Sequence, residues 1–424
     1  MKNVGFKQFI LFWMSQGVSQ LGSSMTTFAM TIWIYKETKS VMSVSMLMFF
    51  TYLPMVIASV FAGAFIDKHD KKKIMLLTDT IAAICTCILW LLLSRNILEL
   101  WYVYLINVII GFMNAFQTPA STIIIGLIVP KKLYSKASGL ISFSNSLITI
   151  VMPVFTTFLI SFWDLSMVII FDLVTFLFAV FILLFFIKLP IKEEKLEKNS
   201  NLKEDIKVGF SFLKTHKGIL YLILSIAILN FFSNITYENI LSPMILARSG
   251  DNDMVLGVVS GILGVGGVIG GIIVSIKELS GNRVKIIYFC ATISFLFGDF
   301  LMGVGNNVFI WSIAGLAASI PIPFITAQQN VILYQYIPQN IQGRVFAVRN
   351  ALQYCTIPLG ILLGGSLADY IFEPLMQSGY FTFFNNILGN SEGSGMALMF
   401  IFTSILGFIS SILGYLNPEV RSLG

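Results

Sequence analysis

Twelve runs of about 20 or more mostly apolar residues follow one another along this 424-residue chain, most of them separated by short polar breaks. A segment of that length and character suits a helix across a bilayer, where each backbone N–H and C=O must find its partner inside the protein. The runs do not alternate apolar and polar residues, which excludes a membrane β-barrel. Composition agrees. Hydrophobic residues make up 56% of the chain, charged residues 11%, and mean hydropathy is +0.86, whereas a soluble chain carries about 25% charged residues. The sequence predicts an all-α integral membrane protein with spans near 8–35, 41–66, 74–94, 101–128, 138–160, 167–187, 218–246, 255–276, 286–305, 309–333, 346–368 and 396–417.

With the N-terminus inside, the external loops hold only Lys36, Lys39, Arg95 and Arg248 of the 27 basic residues. The positive-inside rule therefore sets both termini in the cytoplasm of a multi-pass protein of the cell membrane. The one long polar connection, 188–217, divides the chain into six spans at 1–187 and six at 218–424. Within it Leu202, Ile206, Phe210 and Leu213 recur at helical spacing, which predicts a short amphipathic helix on the membrane surface. The halves repeat each other. Gly111 and Gly315, Pro119 and Pro323, and Gly139 and Gly343 are each 204 residues apart, and Pro153 and Pro358 are 205 apart. Both of the last pair are expected to kink their spans.

Several function classes fall away. There is no Gly-x-x-x-x-Gly-Lys-Ser/Thr phosphate loop and no nucleophile elbow. Cys85, Cys87, Cys290 and Cys355 all lie in apolar runs and read as packing residues, and the two histidines, His69 and His216, do not make a metal site. The net charge of +6 reports topology rather than a nucleic-acid partner. The first apolar run is too long for a cleaved signal and reads as a retained span.

The tightest charged connection is Gly63-Ala-Phe-Ile-Asp67-Lys68-His69-Asp70-Lys71-Lys72-Lys73. Gly-x-x-x-Asp-Lys-x-x-Lys-Lys resembles the loop between spans 2 and 3 of the major facilitator superfamily, with Asp70 where that family has Gly. The continuation through Ile74 and Met75 is similar to the variant in its macrolide-efflux-like members. The resemblance implies twelve spans in two pseudo-symmetric six-helix halves with a substrate site between them. It also implies that Asp67 latches the halves closed on the cytoplasmic side, with Gly63 for close packing, Lys68, Lys71 and Lys72 as basic companions, and Arg344 at the start of span 11 opposite. Asp79 resembles the Asp that follows this motif and is expected to join the same charge network.

Polar stripes mark the remaining candidates. Asn230, Asn234 and Glu238 share one face of span 7. Glu238 either turns to a cavity as a proton-coupling acid or ends its span in the outer headgroups. Asp172 and Asp299 are further acids inside spans and further coupling candidates. Gln16 and Gln20 in span 1, Asn107 and Asn114 in span 4, Asn145 in span 5, and Gln353 complete the expected substrate-contacting set, with interhelical hydrogen bonding as the alternative for each amide. Arg349 either snorkels to the cytoplasm or pairs with an acid from the other half. Span 5 lacks the Gly-Pro motif of antiporters in the superfamily, and span 4 has Ile110 near the place where many drug antiporters carry Arg. The expected function is not enzymatic. It is export of a lipophilic or amphiphilic small molecule, such as a macrolide-like drug or natural product, by a monomer without cofactors, driven by the proton gradient through alternating access. A lipid or lysolipid flippase on the same scaffold and a non-transporting membrane sensor are the alternatives. One charge crossing the membrane supplies about 2.3 kcal/mol per 100 mV, enough for roughly a fifty-fold substrate gradient.

Overall fold

The computed structural model describes residues 2–130, 133–187, 202–276, 281–338, 341–378 and 381–424, with the backbone alone at 2–5, 60, 63, 64, 67, 68, 135 and 202–206. Among these residues every regular element is a helix. The first six long helices are α1 (Lys2–Thr38), α2 (Val41–Lys68), α3 (Lys71–Ser94), α4 (Leu100–Ile128), α5 (Tyr134–Phe162) and α6 (Leu165–Phe185). The amphipathic α7 (Leu202–Thr215) follows. Then come α8 (Lys217–Ser249), α9 (Asp253–Ile276), α10 (Arg283–Val304), α11 (Val308–Tyr336) and α12 (Gln342–Gln377). The short α13 (Thr382–Leu388), the long α14 (Ser394–Leu416) and a last turn, α15 (Pro418–Arg421), complete the chain.

Eleven of these helices are long and apolar enough to cross a membrane. The twelfth expected span, α1, is 37 residues long. Its apolar character is diluted by Ser15, Gln16, Ser19, Gln20, Ser23, Ser24 and Thr26, a composition that suits a helix packed on protein more than one facing lipid. The other helices carry exposed Phe61, Leu177, Phe185, Ile276 and Phe289, side chains that suit contact with lipid.

The chain forms two compact units, Met1–Glu194 and Lys195–Gly424. Within the first, α2 packs on α4, α1 on α5 and α6, and α3 on α4 and α6; within the second, α9 packs on α11, α8 on α12 and α14, and α10 on α11 and α14. These are the same pairings one repeat later, so the 204-residue offset in the glycines corresponds to a repeated packing scheme. Short polar connections are closed by side-chain caps: Ser40 accepts from the Ser43 N–H, Asp164 from Met167, Asn282 from Lys285 and Asn307 from Ile310. Asp70, the residue that departs from the family pattern, caps α3 by accepting from the Lys72 and Lys73 N–H groups. Its φ of −65° needs no glycine. Of the expected kinks, Pro153 lies within an unbroken α5, while α12 is interrupted at Cys355, three residues before Pro358.

Lys72 was expected as a companion of the loop aspartate. Its Nζ instead donates to the carbonyls of Leu184 (3.1 Å) and Ile187 (2.7 Å), closing the C-terminal end of α6, where a helix presents unpaired carbonyls and partial negative charge. Lys72→Ala should therefore lower the melting temperature of the purified protein, at a cost of about 1 kcal/mol, while the exposed Lys73→Ala should leave it unchanged. Equal melting of the two variants would remove this role. The amphipathic α7 does not rest on the membrane surface alone. Leu213 is fully buried in the core of the second unit, and a Cβ at Gly209 would meet the Arg344 carbonyl of α12 at 2.6 Å. Phe210 remains 52% exposed. The segment 369–395, between the last two expected spans, is mostly helix, because α12 continues to Gln377 and α13 follows.

Candidate functional site

The first unit holds two buried carboxyl groups, Asp79 and Asp172, whose partners among the described residues are amides and hydroxyls. Asp79 lies eight residues into α3, about 12 Å along the axis from the Lys71 position. Its Oδ1 accepts a short hydrogen bond from Gln117 Nε2 of α4. Gln16 of α1 faces the same carboxyl, and Gln16 Nε2 and Asp79 Oδ2 are left without a closed hydrogen bond. This corrects the expectation that Asp79 joins the loop charges: its helical position carries it away from them and between two amides. Asp172 of α6 accepts from Ser23 Oγ (3.0 Å) on one oxygen and from Thr26 Oγ1 (2.9 Å) on the other. Thr86 of α3 faces it as well. Gly22 makes this contact possible, since a Cβ there would meet the Asp172 backbone at 2.9 Å.

The second unit holds a polar pocket of about 120 Å³ lined by Asn230, Ser233 and Asn234 of α8 and Gln353, Tyr354 and Ile357 of α12. Three residues singled out from the sequence thus meet in one place. Gln353 is 8% exposed and its Nε2 has no partner, so a hydrogen-bond donor is held ready at the pocket. Close helix approach builds the site. A Cβ at Gly360 would meet Asn234 Cβ at 3.0 Å, and one at Gly364 would meet the Ile235 carbonyl oxygen at 2.7 Å. Asn239 Nδ2 donates to the Ile361 carbonyl at 2.7 Å and ties the same two helices one turn further along. The volume is about that of four waters in the liquid, so the pocket fits one polar group of a ligand and not a bulky molecule whole.

Beyond the pocket, α8 widens into a π-helical turn at Thr236–Ile240 that carries the exposed Glu238. α10 has a second π-turn at Ser294–Asp299, and α12 a third at Ala368–Phe372. Asp299 closes the second. It is 1% exposed and accepts from Thr403 Oγ1 of α14 at 3.0 Å. Turns of this kind are rare and concentrate at functional sites.

The other candidates separate. Asn107 is fully engaged inside its unit, accepting from Thr51 Oγ1 (3.1 Å) and donating to the Val103 carbonyl (2.9 Å), so it joins α4 to α2 and does not point at a ligand. Gln20 and Asn145 are exposed and Asn114 is half-buried. Arg344 is exposed in the first turn of α12. Within its unit Arg349 donates to Asn330 Oδ1 of α11 at 2.9 Å and lies over the Phe346 ring. The side chains of Gly63, Asp67 and Lys68 lie outside the described residues. Sequence reasoning missed Gln117, Tyr237, Asn239, Asn330 and Thr403. It also missed a cluster in which Arg248 donates to the carbonyls of Gly303 and Leu388, while Glu373 accepts from the Gly393 and Met396 N–H groups at the start of α14. Tyr237 and Asn239, on either side of Glu238, stood next to a marked position.

Comparison with known proteins fits this picture. The Major Facilitator Superfamily profile matches residues 12–360. The chain is 26% identical over 370 residues to macrolide efflux protein A of Streptococcus pyogenes, covering 86% of this chain and 90% of that one. It is 23% identical over 321 residues to the staphyloferrin A transporter of Staphylococcus aureus, covering 75% and 78%. Among solved structures, a bacterial homologue of the iron transporter ferroportin in an inward-facing state aligns with a TM-score of 0.69 at 11% identity, over 97% of this chain and 99% of that one. A bacterial homologue of the lysosomal transporter Spinster aligns at 0.67 and 15%, over 100% and 98%. At such identities the structural likeness speaks for the fold alone.

Proposed function

The chain belongs to the Major Facilitator Superfamily and is a membrane-embedded transporter; from that premise we propose that it exports lipophilic or amphiphilic compounds, macrolide-like drugs or a secreted natural product, from the cell. The observation that carries this reading is kinship with macrolide efflux protein A over 86% of the chain. The pocket of Asn230, Asn234 and Gln353 supports it, since amides without charge suit a weakly polar substrate better than a phosphate or an amino acid. Transport runs by alternating access, as proton antiport, with Glu238 as the coupling acid and Asp67 as the loop acid on which turnover depends. The protein works as a monomer in the cell membrane, with both termini in the cytoplasm and no cofactor.

The test is accumulation of a labelled macrolide and a fluorescent lipophilic drug in cells expressing the protein, with and without a protonophore. Expression should lower accumulation, and the protonophore, Glu238→Gln and Asp67→Asn should each restore it. No change for either compound would remove macrolide-type export. Retained export in Glu238→Gln would remove Glu238 from coupling. A lipid substrate is the second reading. An apolar groove of about 560 Å³ between α9 and α11, lined by Ile262, Val265, Ile269, Phe309, Ile313 and Leu316, favours it. Lipid translocation in reconstituted vesicles distinguishes the two.

A further inference from the structure

The three π-turns of the second unit share one neighbour. Helix α14 places Phe400 on the ring of Tyr237 (5.4 Å, edge-on), Phe402 on the ring of Phe372 (5.4 Å, edge-on) and Thr403 on the carboxyl of Asp299. Three residues within one four-residue stretch of this helix therefore touch the π-turns of α8, α12 and α10. The first unit has no such arrangement: α1, α3 and α5 run as unbroken α-helices over their described lengths. A π-turn holds one residue more than the α-helix it interrupts. Converting it to α-helix, or back, rotates and shifts whatever lies on one side of it.

The polar atoms at the centre of this ring are incompletely paired. Asp299 Oδ2 accepts from Thr403, but Oδ1 has no closed hydrogen bond, and neither has the hydroxyl of Tyr237 that faces it. Ser404 Oγ, one residue beyond Thr403, is likewise unpaired. Buried polar atoms left open are costly, and here two of them confront each other across the interface of two π-turns. Among the described residues, Tyr237 is the titratable group that faces Asp299. The contact from α11 comes through Ala318, packed on Gly298, and the contact from α14 through Thr403. On α10 itself, Tyr288 lies three turns away and pairs with Ser225.

We propose that Asp299 is a proton-binding switch, read by Tyr237, that sets the state of the α8 π-turn and with it the position of Glu238. Ionised, the carboxylate draws the tyrosine hydroxyl in as a charge-assisted donor. Protonated, it offers only a neutral partner, about half as strong. The proton on the carboxyl is the only atom that moves between chemical groups. Tyr237 follows the pull because its ring is held on Phe400 and its backbone lies in the π-turn. Glu238, the next residue and exposed, is carried with it. The switch deepens the transport reading and rests on it for its purpose, since it gives the second unit a place where ion binding becomes helix motion.

The test needs no substrate, so failure to export a macrolide leaves it intact. In a protein whose Cys85, Cys87, Cys290 and Cys355 are replaced by alanine, Glu238→Cys serves as reporter. Asn230→Cys, on the same helix before the π-turn, serves as reference. The ratio of their alkylation rates cancels the common pH dependence of thiol reactivity. The ratio should change by about fivefold between acidic and neutral pH. It should be flat in Asp299→Asn and in Tyr237→Phe, which keeps the ring on Phe400 and removes only the hydroxyl. A ratio that is flat in the parent protein, or that follows pH unchanged in the variants, overturns the switch. Where Asp299→Asn does not yield folded protein, Tyr237→Phe alone decides.

Discussion

Gly111→Ala should all but abolish recovery of folded protein, while Gly315→Ala, one repeat later, should be tolerated. A Cβ at Gly111 would run into the backbone carbonyl oxygen of Thr51 on α2, which no side-chain rotation can relieve. One turn earlier, Asn107 accepts from the Thr51 hydroxyl, so pushing α4 away from α2 also breaks that hydrogen bond. At Gly315 the same added carbon would press only on Leu263, 3.2 Å from its Cγ and 3.6 Å from its Cδ2, a side chain that has to give by a few tenths of an ångström. Overpacking of a tight helix contact costs about 3 kcal/mol, and loss of the buried hydrogen bond adds about 1 kcal/mol or more. Melting of detergent-purified protein, followed by size-exclusion fluorescence, measures both variants. Equal melting of the two would mean that α2 and α4 can separate without penalty, and the contact would not be the fixed point it is taken to be.

That pair also shows what could be read from the sequence. The 204-residue offset between Gly111 and Gly315 is visible in the letters, and so is the demand for small residues where helices cross. Span limits were likewise legible, because an apolar run ends where polar caps such as Ser40 and Asp70 begin. Partners were not legible. Asp79 and Lys72 sit within one charged neighbourhood in the sequence, yet helical rotation points the first at Gln117 and the second at the end of α6. Asn107 and Asn234 look alike as single amides in apolar spans, and only packing decides that one is engaged with Thr51 while the other lines a pocket. The π-turns left no trace, since one extra residue in a run of thirty barely disturbs hydropathy or its period. The spacing Asn230, Asn234, Glu238 assumes regular α-helix, and the π-turn begins before it reaches Glu238.

Asp172 tests whether a buried acid with every oxygen paired behaves differently from one with an oxygen left open. It bridges α6 to α1 through Ser23 and Thr26, much as Asp299 bridges α10 to α14 through Thr403. Both oxygens of Asp172 are in use, the side chains that face it among the described residues are hydroxyls, and the helices it joins have no π-turn. Hydroxyls can accept as well as donate, so an asparagine at this position can be satisfied by the same Ser23 and Thr26 with one bond reversed. Asp172→Asn should therefore melt within about 1 kcal/mol of the parent and keep the parent's pH profile of export. Asp172→Leu should lose about 3 kcal/mol, because two hydroxyls are left open in an apolar contact and a branched side chain is forced against Gly22, where the helices already touch. Melting curves and the pH dependence of drug efflux, measured on the same preparations, check both halves of this expectation. If Asp172→Asn folds as the parent does but loses its pH dependence, the paired acid is a coupling site after all, and the open oxygen of Asp299 is not what distinguishes a switch from a strut.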